Sequence, residues 1–166
     1  MIQSTKLKLN NIEQLIYDHL IIITNLMKKN QSEAHFYCPN QLILKQGTNF
    51  NKKIKIANLP VGQPNLCYMN AYRLAIENGY IYCEGYAISE NVIGLPIEHA
   101  WCVTKDKEIV DNTWGDMGKA YFGIPFTMEY ITFIAKLTGN YGIFGWLPDS
   151  IVKKGLPDHA IFNFEN

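Results

Sequence analysis

The sequence predicts an α+β fold in which a central nucleophile helix packs against an antiparallel β-sheet, with further helices towards the N-terminus and the C-terminus. Three observations favour it. The 166 residues are 48% hydrophobic, enough for one core. An almost wholly apolar helical segment begins near Cys67, and three strand-like segments follow it. Because no repeat, low-complexity tract or linker divides the chain, residues 1–166 are predicted to form one domain, with a catalytic core at about 60–115.

Charge and cysteine usage narrow the function classes. Fifteen basic residues balance fifteen acidic ones, so there is no electrostatic case for nucleic acid or an anionic membrane surface as a partner. The four cysteines form no CxxC pair, and the N-terminus lacks the features of a signal peptide. We therefore expect a reducing, cytoplasmic setting, with no cofactor.

The first 60 residues predict one helix and several short strands. Short strands are predicted at 35–38 and 41–45, and Lys52 to Ile56 alternates like an edge strand with lysines on its open face. The helix is predicted from Asn11 to Lys29, with this apolar stripe: Ile12, Leu15, Ile16, Leu20, Ile23, Leu26 and Met27.

The next helix carries the residue of greatest chemical interest. Pro64 lies in the loop that enters it, and Asn78-Gly79 is the expected stop. Because nearly every face is apolar, we expect this helix to be buried on all sides. Cys67 lies in its first turn, where unpaired backbone N–H groups and the helix dipole favour the thiolate. The alternative is that Cys67 is a small buried hydrophobe.

A strand from Tyr80 to Ile88 and a hairpin follow. The hairpin strands are 97–104 and 108–114, so His99 begins one strand and Asp111 ends the other. A three-residue loop at 105–107 would put Asp111 on the same face as His99, whereas a two-residue loop would put Asn112 there. Both registers stay open, and Asp111 is preferred because a carboxylate also stabilises an imidazolium.

The C-terminal third is predicted to be mainly structural. Residues 114–126 are predicted to form a glycine-spaced aromatic loop, and residues 141–146 resemble it. Either segment lines a substrate cleft or belongs to a satellite core. Between them, Thr127 is predicted to cap a helix that runs to about Leu137.

These motifs carry a resemblance over 62–114. The helix opening with Cys67, the strand with His99-Ala100-Trp101 and the strand ending at Trp114 resemble the transglutaminase-like branch of the papain-like cysteine enzyme superfamily. The resemblance implies that Cys67 is the nucleophile, His99 the general base and then acid, and Asp111 the orienting residue. It also implies a protein, peptide or small amide substrate.

The residues around this triad supply further candidates and two competing hypotheses. Candidates for the oxyanion hole or substrate binding are Gln63, Asn65, Trp101, Asn112 and Trp114. No metal site is expected, since His99 and Cys102 point to opposite faces of an extended strand. The predicted function is thiol-dependent acyl transfer to water or an amine. The alternative is a catalytically idle domain of the same fold used for protein binding.

Overall fold

The computed structural model describes residues 10–28, 38–54, 58–92 and 94–165, and it confirms the α+β class. No helix in these ranges combines the length and apolar character that a membrane crossing needs. The elements are α1 (Asn11–Lys28), α2 (Pro39–Gln46), β1 (Thr48–Phe50), β2 (Lys52–Lys53), α3 (Cys67–Asn78), β3 (Ile81–Ser89), β4 (Ile97–Val103), β5 (Glu108–Val110), β6 (Gly118–Phe126), α4 (Met128–Thr138) and α5 (Asp149–Lys154).

The six described strands form one sheet in the order β1-β6-β3-β4-β5-β2. All neighbours are antiparallel except β2 and β5, which run parallel, so the predicted antiparallel sheet is mixed at one edge. The edge strands β1 and β2 are separated in the chain by Asn51 alone. The sheet therefore curls until its two edges nearly meet.

The curled sheet has two differently covered faces. Helices α1 to α4 pack on one face, against side chains that include Tyr82, Ala100 and Cys102. The opposite, enclosed face carries a second apolar cluster, whose largest members are Phe50, Trp101 and Tyr121. Neighbouring residues of a strand therefore belong to different clusters, as the two-residue period of a strand requires.

Helix α3 begins and ends where the sequence predicts, and Gly79 terminates it in the left-handed conformation at φ 71°. The prediction that it is buried on all sides is wrong. Its buried face is Asn70, Ala71, Leu74 and Ala75, and Ile76 is 47% exposed. One side lies on β3 and β4, while the other faces solvent.

Helix α1 is also confirmed, but its buried stripe is narrower than predicted. Ile16 and Leu20 are fully buried, whereas Leu15, Leu26 and Met27 are exposed. Asn10 accepts from the N–H of Glu13, and Glu13 accepts from the N–H of Asn10, which forms a reciprocal cap. This cap explains why an acidic side chain is buried at the start of the helix.

Four further segments differ from the prediction or lie partly outside the described residues. Residues 41–45 belong to α2, because Pro39 occupies the first turn of a helix rather than preceding a strand. Residues 35–37 and 55–56 lie outside the described ranges, although β2 is an edge strand as predicted. The predicted loop at 114–126 is wrong: residues 118–126 form β6, which pairs with β3 near the centre of the sheet.

Helix α4 follows the prediction closely. Thr127 accepts from the N–H of Tyr130, and Gly139 ends the helix in the left-handed conformation. Ile131 and Ile134 are buried against the sheet. Capping residues fix both ends of this helix, so its limits are readable from local sequence.

Candidate active site

The hairpin of β4 and β5 brings His99 to Asp111. Val103 pairs with Ile109 and Cys102 with Val110, which is the register of the three-residue loop. Strand β5 ends at Val110, and the chain then turns. The Nε2 atom of His99 lies 2.9 Å from Oδ2 of Asp111, with 1% of each side chain exposed. Asp111 rather than Asn112 is therefore the partner of the imidazole.

Four groups hold the Asp111 carboxylate. Besides His99, the Tyr121 hydroxyl donates to Oδ2 at 2.8 Å, and the N–H groups of Thr113 and Trp114 donate to Oδ1 at 2.9 and 3.1 Å. Burial works to raise the pKa of Asp111, but the bond and charge of His99 and these donors outweigh it and hold the pKa below its ordinary value. The carboxylate is therefore ionised and fixed in orientation.

Aromatic rings fix the plane of the His99 imidazole. Trp114 stacks on it with ring centroids 3.8 Å apart and planes 11° apart. Trp101 lies parallel to it at 6.3 Å and is fully buried. Because Trp101 has no exposed surface, it acts as a core residue behind the imidazole and does not reach a substrate directly. Trp114 is half-buried and covers the imidazole.

Charges around the imidazole favour its protonated form. Burial lowers the pKa of His99, but hydrogen bonding to Asp111 and Cys67 and the charges of both groups raise it above its ordinary value. Asp111 takes Nε2. The nitrogen left to exchange a proton with the Cys67 thiol is therefore Nδ1.

Cys67 differs from the other cysteines in its surroundings. It is the first residue of α3 and is half-buried, whereas Cys38, Cys83 and Cys102 are buried. Burial raises the pKa of Cys83 and of Cys102 well above the ordinary thiol value, which keeps them protonated. At the first position of a helix, the N–H of Cys67 has no partner within the helix and is available to an oxyanion.

Asn70 joins helix α3 to the turn that follows Asp111. Its Nδ2 donates to the Gln63 carbonyl at 2.8 Å and to Oγ1 of Thr113 at 2.9 Å, while its Oδ1 accepts from the N–H of Gln63 at 3.1 Å. The N–H of Gly62 also donates to the carbonyl of Asn112 at 2.7 Å. These bonds hold the start of α3 beside the His99 end of the hairpin.

The sequence analysis missed the role of Asn70. The available signal was a polar side chain on the face of an otherwise apolar helix that contacts the sheet. A buried amide needs partners in several directions, and such a residue therefore indicates a polar junction. Tyr121 is not among the predicted site residues because the sequence predicts a loop where β6 lies.

The other candidates for the oxyanion hole or substrate binding, Gln63, Asn65 and Asn112, lie in the loops around the site. Gln63 and Asn65 are exposed in the loop before α3, and Asn65 has a φ of 61°. Asn112 contributes its backbone carbonyl to the junction with Gly62. The loop thus brings two amide side chains close to the first turn of α3.

Two cavities flank the triad. One, of about 360 Å³, is lined by residues on either side of Cys67 and by Glu98, which precedes His99. The other, of about 440 Å³, lies on the Asp111 side and includes Trp114 in its wall. The chain neighbours of Cys67 thus line the first cavity, and Asp111 itself lines the second.

Comparisons with known protein families, with curated proteins and with solved structures give no match.

Among the described residues, no group of three or more His, Cys, Asp and Glu is placed to hold a metal ion.

Proposed function

We propose that this chain is a cysteine-dependent acyl-transfer enzyme. Its nucleophile is Cys67, its general base and acid is His99, and Asp111 orients the imidazole. The observation that carries the proposal is one imidazole held at Nε2 by a buried carboxylate, 2.9 Å away, and near enough to the Cys67 thiol at a helix N-terminus for that thiol to help raise the pKa of His99. The resemblance to transglutaminase-like and papain-like enzymes supports the same roles.

The reaction begins with proton transfer from the Cys67 thiol to Nδ1 of His99. The thiolate attacks an amide or ester carbonyl, and the oxygen of the tetrahedral intermediate accepts a hydrogen bond from the Cys67 N–H. As the intermediate collapses, the C–N or C–O bond breaks and His99 returns the proton to the leaving amine or alcohol. A thioester on Cys67 remains.

Water or an amine then resolves the thioester. His99 removes a proton from the acceptor as it attacks, and the Cys67 thiolate leaves. Hydrolysis and deamidation both transfer the acyl group to water and differ in the amide that is attacked, whereas transamidation transfers it to an amine. Asp111 stabilises the imidazolium that forms in both steps without itself becoming protonated.

A reducing compartment such as the cytoplasm is part of the proposal. All four cysteines are free in the structure. The thiolate of Cys67 is the reacting form, and disulfide formation would remove it. A reducing environment therefore keeps the proposed nucleophile available.

Iodoacetamide alkylation followed by peptide mapping tests the proposal. We expect Cys67 to be alkylated first, because it is half-buried at the start of α3 beside His99, while the buried Cys83 and Cys102 stay protected until the chain unfolds. His99→Gln should slow alkylation of Cys67 in mild acid by about tenfold or more. Glutamine keeps a donor for Asp111, so the fold survives better than with alanine.

A small activated ester provides the activity readout. We expect 4-nitrophenyl acetate to release a burst of nitrophenolate as Cys67 is acylated, and Cys67→Ser to abolish the burst with its circular dichroism spectrum unchanged. Labelling of all cysteines at a common rate, and only above the ordinary thiol pKa of about 8.5, would indicate an idle domain.

A further inference from the structure

Five aromatic rings contribute to the wall of the cavity beside the proposed nucleophile. We call it the aromatic cavity. Leu66 and Tyr68, which flank Cys67, contribute to it together with Glu98, which precedes His99. Its aromatic lining consists of Tyr68, Tyr86, Tyr141, Phe144 and Trp146. Trp146 is 53% exposed, so the cavity opens to solvent at this ring.

Two carboxylates share this lining, and no Lys, Arg or His lies among the described residues that form it. Glu98 is exposed and accepts from the Tyr86 hydroxyl at 3.0 Å, while Asn40 donates to that hydroxyl at 2.8 Å. Glu84 is buried in the wall. The cavity is therefore a negatively charged, aromatic space.

The charge of Glu98 reaches other groups of the wall. It helps to raise the pKa of Tyr68, of Tyr86 and of Glu84, although burial is the larger cause for each. The Cys67 charge also helps to raise the pKa of Tyr68. Tyr68 therefore lies within electrostatic range of both the nucleophile and the acidic wall.

We propose that the aromatic cavity binds an alkylammonium group of the substrate, such as a lysine-type side chain, next to the bond that Cys67 attacks. Aromatic faces attract cations through their quadrupoles, and carboxylates add a direct ionic attraction. The apolar walls suit the methylene stem of the same group. The volume of about 360 Å³ lies within the range of small-ligand sites. The claim that the bound group lies next to the reacting bond rests on the proposed function. The claim that the cavity binds an alkylammonium group does not.

Binding is tested without any reaction by titrating the protein with n-butylammonium and, as the oppositely charged control, with butyrate at pH 8. We expect n-butylammonium to shift the backbone NMR signals of Gly142 and Gly145 and the indole signal of Trp146, with butyrate leaving them in place. Gly115, in the wall of the other cavity, should not move. Equal shifts from butyrate, or shifts at Gly115 alone, would overturn the proposal.

The link to Cys67 is tested with three chloroacetamides of matched length. Their tails are 4-aminobutyl, butyl and 3-carboxypropyl, so they differ mainly in charge. We expect the aminobutyl reagent to alkylate Cys67 about tenfold faster than the carboxypropyl reagent. The carboxylates of the cavity attract the ammonium group of the first reagent and repel the carboxylate of the second. Added salt should reduce this ratio.

Two variants make the test specific. Glu98→Gln keeps an acceptor for Tyr86 but removes a charge, and it should lower the ratio several-fold. Glu129→Gln, at an exposed position of α4 outside the cavity lining, is the matched control and should keep the ratio. A ratio near one in the unmodified chain, or one that Glu98→Gln leaves unchanged, refutes the proposal. Failure of iodoacetamide to react selectively with Cys67, with n-butylammonium still bound, would refute the enzymatic function instead.

Discussion

At the scale of single residues, the site depends on how Asp111 divides its two oxygens. Oδ1 accepts from the backbone N–H groups of Thr113 and Trp114, and Oδ2 accepts from His99 and Tyr121. One oxygen thus fixes the turn, while the other fixes the imidazole. Since both are occupied, the carboxylate cannot rotate without breaking two bonds at once.

This division predicts the effect of Asp111→Asn. The amide oxygen would keep the backbone donors, so the amide N–H would face Nε2 of His99 and force the imidazole proton onto Nδ1. That tautomer cannot accept the thiol proton. We expect the acylation rate with 4-nitrophenyl acetate to fall about 10²- to 10⁴-fold.

Asn112→Ala is the control for that change. Asn112 contributes a backbone carbonyl that alanine retains, so acylation should change by less than about threefold. ¹⁵N NMR of the imidazole reports the tautomer independently of activity. If Asn112→Ala were the more damaging change, Asp111 would not be the orienting group.

The residue scale also shows the limits of prediction from sequence. The order Cys67, His99, Asp111 and the strand containing His99 are local patterns, so the sequence indicated which residues to bring together. The choice between Asp111 and Asn112 depended on the length of one turn, since a one-residue slip exchanges the faces of a strand. Local sequence left that choice open.

At the scale of elements, Glu84 links the central strand to the wall of the aromatic cavity. From β3 it accepts from the N–H groups of Ile143 and Phe144 at 2.7 and 2.8 Å and from the Tyr82 hydroxyl at 2.9 Å. Burial raises its pKa to about 7, although these donors work to lower it. The segment 143–146 is therefore anchored by a carboxyl group that titrates near neutrality.

The raised pKa predicts a pH dependence of stability. The folded chain holds a proton on Glu84 that the unfolded chain releases near the ordinary pKa of 4.5. Its contribution to the free energy of unfolding is thus fully present below about pH 4.5 and is lost as pH rises through about 7. The free energy of unfolding therefore falls by about 3 kcal/mol at most between these two pH values.

Urea unfolding between pH 4.5 and 8 of the unmodified chain and of Glu84→Gln measures this contribution. We expect the free-energy difference between the two proteins to change across this window, while Glu129→Gln should follow the unmodified chain. His99 also loses stabilisation as pH rises, but from about 6.5 upward and in both proteins, so it cancels in the difference. Parallel curves for Glu84→Gln would contradict the prediction.

At the scale of the whole molecule, the site depends on closure of the sheet. Strands β1 and β2 lie at opposite edges although Asn51 alone separates them. The enclosed face then holds His99, Trp101 and Tyr121 together. Closure is a long-range property, and local sequence patterns predicted α1, α3, α4 and the hairpin but not this curvature.

Strand β6 shows why the prediction failed at this scale. Its glycines and Pro125 are typical of loops, so residues 114–126 were assigned to one. Alternation was nevertheless present, with Ala120, Phe122 and Ile124 on the helix-covered face and Tyr121 on the other. In a strongly curled sheet, glycine marks close approach between strands rather than the end of a strand.

Gly123 provides the test of this interpretation. One row of paired residues crosses four strands through Thr48, Gly123, Gly85 and His99. A Cβ at Gly123 would lie 2.5 Å from the Glu84 carbonyl oxygen and 2.6 Å from Cη2 of Trp101. Strand β3 cannot retreat, because β4 and β6 pair with it on both sides.

We therefore expect Gly123→Ala to lower the free energy of unfolding by about 1–3 kcal/mol in urea titrations. It should also slow alkylation of Cys67 by iodoacetamide, since Trp101 supports the imidazole of His99. Gly145→Ala is the matched control, because a Cβ there meets no atom within 4 Å, and its stability should stay within about 1 kcal/mol. Equal stabilities for the two variants would mean that the strands can move apart at this row and accommodate a Cβ at Gly123. The close contact of β3 with β6 would then not be what sets the curvature on which the site depends.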